Sequence, residues 1–255
     1  MESLLVRLMS AFELRYGGEP IRIAVEKDTG AARLLPALLF YEEKGVPLQE
    51  ISEIMHGEQE DGRAVSVSEE IETLRTAIAR SGLPAGEYVY CRDGAYRFGG
   101  PVKIESDAAA FLDACRRAEE CEEDDLPLCL DRACALYDGE LLPSFSAQSW
   151  VVYQNAVLVN KYTDMLRQLC LHYTRTQEYE RLCVLCSRAA HFFPFDEEWH
   201  ALRINSMLAQ GKYRQALDVY EEVRALLFDE LGVFPSEKLM ECARAIGERV
   251  IFPAP

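Results

Sequence analysis

Two tyrosines 34 residues apart, Tyr179 and Tyr213, constrain this chain more than any other feature. Each opens a helical pattern. Gln177-Glu178-Tyr179 precedes a run through Ala190, and Gly211-Lys212-Tyr213 precedes a run through Phe228. Leu182 and Ala216 fall in the same register. A helix–turn–helix unit that recurs at this interval cannot bury its apolar face alone and has to stack on its neighbours. Gly211 and Ala216 supply the small residues needed for the turn and for close helix packing, Tyr220 is the bulky partner, and Pro194 ends the first unit. Two features depart from the pattern: Leu182 stands where a small residue is usual, and the helix around Trp199 carries little of it. Stacked helix pairs form grooves, so the chemistry of such a scaffold resides in surface shape rather than in a reactive group.

The remainder of this half is also helical. From Ala108 onward strand signals almost vanish. Asp107 is placed to cap a helix through Glu119, the acidic residues 119–125 form a connection, and Pro127 suits the first turn of a helix to about Tyr137. Gly139 and Pro143 then break the pattern. A long helix is expected over roughly residues 147–174, and Ser236 is expected to cap a final helix to about Val250. Residues 108–255 therefore read as an all-α, tetratricopeptide-like helical repeat domain.

The first hundred residues read differently. Residues 4–9 and 12–16 suit short strands, Gly17-Gly18 suits a hairpin turn, and residues 21–25 suit a third strand. Helical patterns follow at 34–44 and 49–55. Val67, Ile71, Leu74 and Ile78 recur at four, three and four residues, which gives a third helix one apolar face before Gly82 and Pro84 end it. Residues 88–92 and 95–98 are strands joined by Asp93-Gly94, a strong hairpin signal. Pro36 lies inside the first helix; an interior proline costs about 3 kcal/mol, so that helix is expected to start near Pro36 and to be short. Strands, three small helices and a terminal hairpin make an α+β winged helix over residues 1–100.

Composition excludes several classes. No run of apolar residues is long enough to span a membrane, and the charged N-terminal stretch lacks the pattern of a signal peptide. The nine cysteines are an odd number spread over residues 91–242, which reads as reduced, buried thiols in a cytoplasm rather than a disulfide framework. Net charge is −16. Residues 1–100 hold 11 Lys/Arg against 17 Asp/Glu, and the rest hold 16 against 26, so neither half carries an obvious basic footprint for nucleic acid. No catalytic constellation and no nucleotide or metalloprotease motif occurs; the chain reads as a non-enzyme with no cofactor and no metal. Cys183-x-x-Cys186, with His191 and His200 nearby, has zinc-like spacing, but thiols three apart on a helix share a face and suit core packing. The acidic residues 119–125 lack the glycine and alternation of a calcium loop.

Tyr137-x-Gly139-x-Leu141-Leu142-Pro143, then Trp150, then the helix holding Tyr213 and Tyr220, then Glu230-Leu231-Gly232-Val233-x-Pro235-Ser236 resemble the bacterial transcriptional activator domain. That domain occurs in the Streptomyces antibiotic regulatory protein family. The resemblance implies an OmpR-like winged helix ahead of the helical domain. It also implies promoter DNA as a partner, with RNA polymerase, another regulatory protein or a second protomer contacted by the helical domain. Arg92-Asp93-Gly94-x-Tyr96-Arg97 is similar to the family's wing hairpin, and Leu74-Arg75-x-x-Ile78 resembles the end of its recognition helix. Carried onto this sequence, the DNA-contacting candidates are Arg63, Ser68, Thr73, Arg75, Arg92 and Arg97, with Arg80 and Lys103 as further cations.

One departure opposes that assignment. Ser68, Glu69, Glu70, Glu72 and Thr73 occupy the exposed positions of the third helix, and three carboxylates facing phosphate are repelled. Two readings therefore stay open: a DNA-binding regulator, and an adaptor that keeps the fold but uses the winged helix as a protein-binding or dimerisation surface. A ligand sensor with a small molecule in the helical domain is a third. Trp150, Tyr153 and Trp199 are the candidate partner anchors, although most aromatics of this half recur at helical spacing, as core residues do.

Overall fold

The N-terminal strand signals fold into small sheets around three helices. The computed structural model describes residues 2–27, 29–42, 44–56 and 66–251. In chain order the first elements are β1 (Ser3–Arg7), β2 (Glu13–Tyr16), β3 (Glu19–Ile21), α1 (Gly30–Phe40), β4 (Val46–Pro47), α2 (Leu48–His56), α3 (Val67–Ala79), β5 (Val89–Arg92), β6 (Ala95–Phe98) and β7 (Lys103–Ser106). One sheet has the order β3-β2-β1-β7 and the other β4-β6-β5. Leu4 and Val6 of β1 are buried while Leu5 is exposed, the period-two alternation expected of a sheet with one covered face. β7 runs parallel to β1, with Leu4 opposite Ile104. β4 and β7, and the end of the third strand at Ile21, were not legible in the sequence: each is short and is stabilised by its neighbour in the sheet rather than by its own pattern.

The first helix corrects the proline expectation. α1 begins at Gly30, six residues before Pro36, and is capped by Thr29, whose hydroxyl accepts from the Ala32 N–H at 3.3 Å. Leu34, Leu35, Leu38 and Leu39 are all buried, as is Pro36 itself. Burying four leucines, each worth about 2 kcal/mol, outweighs the single helical hydrogen bond that Pro36 forfeits.

Then follow α4 (Asp107–Glu119), α5 (Leu126–Leu136), α6 (Ser149–Arg175), α7 (Tyr179–Phe192), α8 (Glu197–Ala209), α9 (Tyr213–Leu231) and α10 (Glu237–Ile251). Asp107 does not cap α4. The Ser106 hydroxyl does, while the Asp107 carboxylate accepts from the Leu8 and Met9 N–H groups at 2.8 and 3.0 Å and ties the end of β1 to the helix. Burial pushes the Asp107 carboxyl above its ordinary range against the pull of those hydrogen bonds. The Tyr137–Pro143 segment is a packing device. Tyr137 is buried and stacks on Tyr162 at 4.0 Å, and burial pushes its hydroxyl up to about 12. Leu141 bridges to Met9 and, like Leu142, is fully buried. These contacts draw the start of the helical region onto the N-terminal strands. The chain accordingly divides into one compact unit ending at Tyr162 and a second beginning at Thr163.

In the second unit α7 to α10 pack in sequence. Ala216, Val219, Val223 and Leu227 of α9 are buried against Ala201 and Ile204 of α8 and Leu239, Cys242 and Ile246 of α10. Ala216 is fully buried, as close helix approach demands. Gly211 and Gly232 take φ of +72° and +66° just past the ends of α8 and α9, the left-handed turn that L side chains resist. Ser236 stands at the start of α10, where its carbonyl accepts from the Met240 N–H at 2.9 Å and its hydroxyl donates to Glu197 Oε2 at 2.7 Å. Among the described residues, no helix is long and apolar enough to cross a membrane.

Candidate nucleic-acid interface and aromatic cleft

The third helix is where charge was expected to decide function, and packing changes the count. Glu70 is not on the outer face. It is 8% exposed, and its Oε2 accepts from the Ala31 N–H at 2.8 Å. A buried carboxylate thus satisfies an otherwise unpaired donor in the first turn of α1 and sits where that helix dipole is positive. The spacing carried a signal for this: Glu70 precedes the buried Leu74 by four residues and the buried Ala77 by seven, so it belongs to the apolar side. The expectation of three exposed carboxylates is therefore corrected to two.

Glu72 and Arg75 pair at 2.6 Å. Arg75 also donates through Nε to the Val89 carbonyl at 2.9 Å and lies 3.5 Å from Glu87, so it clamps α3 to β5 instead of standing free. Ser68 and Thr73 are exposed; Ser68 shares a hydrogen bond with Ser66, and the Thr73 hydroxyl donates to the Glu69 carbonyl. Arg80 is exposed at the end of α3, without an ion pair among the described residues. The solvent face of α3 thus holds Glu69 and Glu72 against Arg75 and Arg80, a balance of zero.

On the hairpin, Arg92 is 74% exposed and 3.6 Å from Asp93. Gly94 takes a φ of +76° in the turn. Arg97 is half-buried, its aliphatic stem against Gly45: a Cβ added at Gly45 would meet Arg97 Cγ at 2.7 Å. Lys103 lies on β7 and pairs with Glu105 at 2.9 Å. Arg63 lies outside the described residues.

The three aromatic candidates separate. Trp199 is fully buried in α8, with the Arg167 guanidinium 5.8 Å from its ring centre; it is a core residue, because its position on α8 faces the neighbouring helices, and the expectation of a surface anchor is corrected there. Trp150 and Tyr153 open α6 instead. They line a cleft of about 1300 Å³ with Tyr41, just past the end of α1, and Glu50 and Glu53 of α2. Trp150 lies 5.8 Å from both Phe40 and Tyr41, and the Gln154 amide donates to the Tyr41 hydroxyl at 2.9 Å. Tyr153 is 66% exposed. Burial raises the Tyr41 hydroxyl; the Gln154 hydrogen bond opposes this and the Glu50 carboxylate adds to it. The cleft was missed in the sequence because its walls come from residues more than a hundred positions apart.

The cysteine pair of α7 is split by depth: Cys186 is fully buried 3.9 Å from Cys170, and Cys183 is half-buried. The hydrogen bond with Cys170, with burial adding to it, pushes the Cys186 thiol well up.

Residues 106–247 match the family described as bacterial transcriptional activator domain. The regulatory protein AfsR of Streptomyces coelicolor is 29% identical over 227 residues, covering 84% of this chain and 21% of that protein. AfsR of Streptomyces griseus is 26% identical over 254 residues, covering 94% and 24%. The chain thus spans about a quarter or less of the length of the AfsR proteins it matches. Among solved structures, Mycobacterium tuberculosis EmbR, in complex with a low affinity phosphopeptide, superposes with a TM-score of 0.59 at 17% identity, covering all of this chain and 66% of that one. That likeness is one of fold.

Proposed function

The chain belongs to the bacterial transcriptional activator domain family, and from that premise we propose that it is a transcriptional regulator of the Streptomyces antibiotic regulatory protein type. In this reading residues 1–100 are an OmpR-like winged helix that docks α3 and the Asp93-Gly94 hairpin on promoter DNA. Residues 108–255 are the tetratricopeptide-like activator domain, which contacts RNA polymerase, another regulatory protein or a second protomer, in the cytoplasm. The family is defined by transcriptional activation, not by catalysis.

The burial of Glu70 carries the DNA-binding part. It takes one carboxylate off the solvent face of α3 and leaves that face electrically balanced, with Ser68 and Thr73 as neutral groups and Arg80 and Arg92 exposed at its margins. Phosphate attraction from two exposed arginines is modest, so binding is weak and salt-sensitive. The aromatic cleft favours a second activity in the same molecule, contact with a protein partner, with Trp150 and Tyr153 as anchors.

Gel-shift titration on genomic fragments across a salt series tests the DNA reading. We expect a negative salt slope, and a slope shallower by about one in each of Arg80→Ala and Arg92→Ala. Absence of any shift at low salt sinks the DNA reading.

A further inference from the structure

We infer that the cleft between α1, α2 and the start of α6 is a docking groove for an arginine- or lysine-bearing segment of a partner protein. The inference rests on the reading of Trp150 and Tyr153 as partner anchors and adds the chemistry of what they hold.

Three observations set the occupant. First, the groove combines ring faces with unpaired acid. Tyr41, Trp150 and Tyr153 line it beside Glu50 and Glu53. Both glutamates are exposed, and neither forms an ion pair among the described residues. Several acids of the first unit are already engaged: Glu70 by a backbone N–H, Glu72 by Arg75, Glu105 by Lys103. A cation set over a ring face and within reach of a carboxylate gains from both. Second, the cation already present in the wall is not paired with these acids. Arg33 donates from Nη1 to the Met55 carbonyl at 3.2 Å, at the end of α2, and forms no ion pair with Glu50 or Glu53 among the described residues. Third, at about 1300 Å³ the groove exceeds the ~300–1,000 Å³ usual for small-molecule sites, which favours an extended segment over a lone organic cation.

The aromatic wall is held in place before any partner arrives. Trp150 donates from Nε1 to Gln148 Oε1 at 2.6 Å, and the Tyr41 hydroxyl is fixed by Gln154. Rings that are already ordered lose little entropy on binding. Tyr153, exposed at the rim, is the side chain left to close on the ligand.

The test uses the full chain and a fluorescein-labelled peptide of alternating arginine and alanine, read by anisotropy. A peptide with glutamine in place of arginine and free arginine amide serve as comparisons. We expect the arginine peptide to bind about tenfold more tightly than the glutamine peptide. The double substitution Glu50→Gln with Glu53→Gln should erase that preference. Tyr153→Ala, a surface change that leaves the fold intact, should weaken binding about threefold. The control Glu122→Gln with Glu123→Gln removes equal charge from the exposed turn before α5 and should leave affinity unchanged. Equal weakening in the control assigns the binding to diffuse attraction by the net charge and overturns the inference. So does equal affinity for the arginine and glutamine peptides. Full competition by arginine amide at the peptide's own concentration overturns the segment as occupant. None of these substitutions touches α3 or the hairpin, so failure of this inference and failure of the DNA reading appear in separate variants.

Discussion

Four glutamates on two consecutive helices meet opposite fates. On α3, Glu70 is buried against the N-terminus of α1 and Glu72 is neutralised by Arg75. On α2, Glu50 and Glu53 stay exposed at the wall of an aromatic cleft. In the sequence α3 is the more acidic element and the poorer candidate for binding a polyanion. In the folded chain two of its three glutamates are spent on structure, leaving Glu69 exposed, while both glutamates of the neighbouring helix stay exposed. A charge count describes a surface only after the charges used internally have been removed.

The largest expected effect separates structural from surface acid on α3 itself. Glu70→Ala leaves the Ala31 N–H buried without its acceptor and should cost about 2 kcal/mol. Glu69→Ala, one residue away and exposed, should change stability by less than about 0.5 kcal/mol. Chemical denaturation of the two variants side by side measures the gap, and equal stabilities would remove Glu70 from its structural role.

A smaller effect sharpens the functional side. Combining Glu69→Gln with Glu72→Gln removes the exposed acid from α3 and leaves Arg75 held by Val89 and Glu87. DNA affinity at low salt should rise about fivefold. An unchanged gel-shift midpoint would place α3 away from the phosphates.

The smallest effect tests whether the second unit follows the same rule, that a buried ionisable group serves packing. His200 of α8 is 6% exposed, and its Nε2 donates to the Pro194 carbonyl at 2.8 Å. Burial lowers its pKa below 6.5, although that hydrogen bond works the other way. Below 6.5 the unfolded chain takes up the proton first, so this contribution to stability is full above 6.5 and is lost as pH falls toward the depressed folded value. Melting temperatures of the native chain and His200→Gln between neutral and mildly acidic pH check the sign. The native chain should lose more on acidification, and parallel curves would show that His200 does not titrate on unfolding.

What was legible follows from how local each signal is. The helix pairs of the second unit were readable because a 34-residue interval repeats a complete packing unit, and Gly211 and Ala216 serve the turn and the close contact for which they were singled out. The Asp93-Gly94 hairpin was readable because a tight turn is written in two residues. Pro36 misled because propensity is a local cost and the leucines around it are paid back by distant neighbours. Asp107 misled in the same way: Ser106 caps the helix, and the Asp107 carboxylate accepts from Leu8 and Met9, about a hundred positions earlier, as well as from Ala108.

The sequence by itself determined the family, the succession of the main helices and the hairpin, and the helical period, because motif spacing and apolar recurrence are properties of neighbouring residues. Only the tertiary structure decided which carboxylates face water, that Arg75 is a clamp, that Trp199 is core while Tyr153 is exposed, and that a cleft exists at all. Each of these depends on a hydrogen bond or ring contact between residues far apart in the chain, and burial of that kind is set by what packs against a side chain rather than by what precedes it.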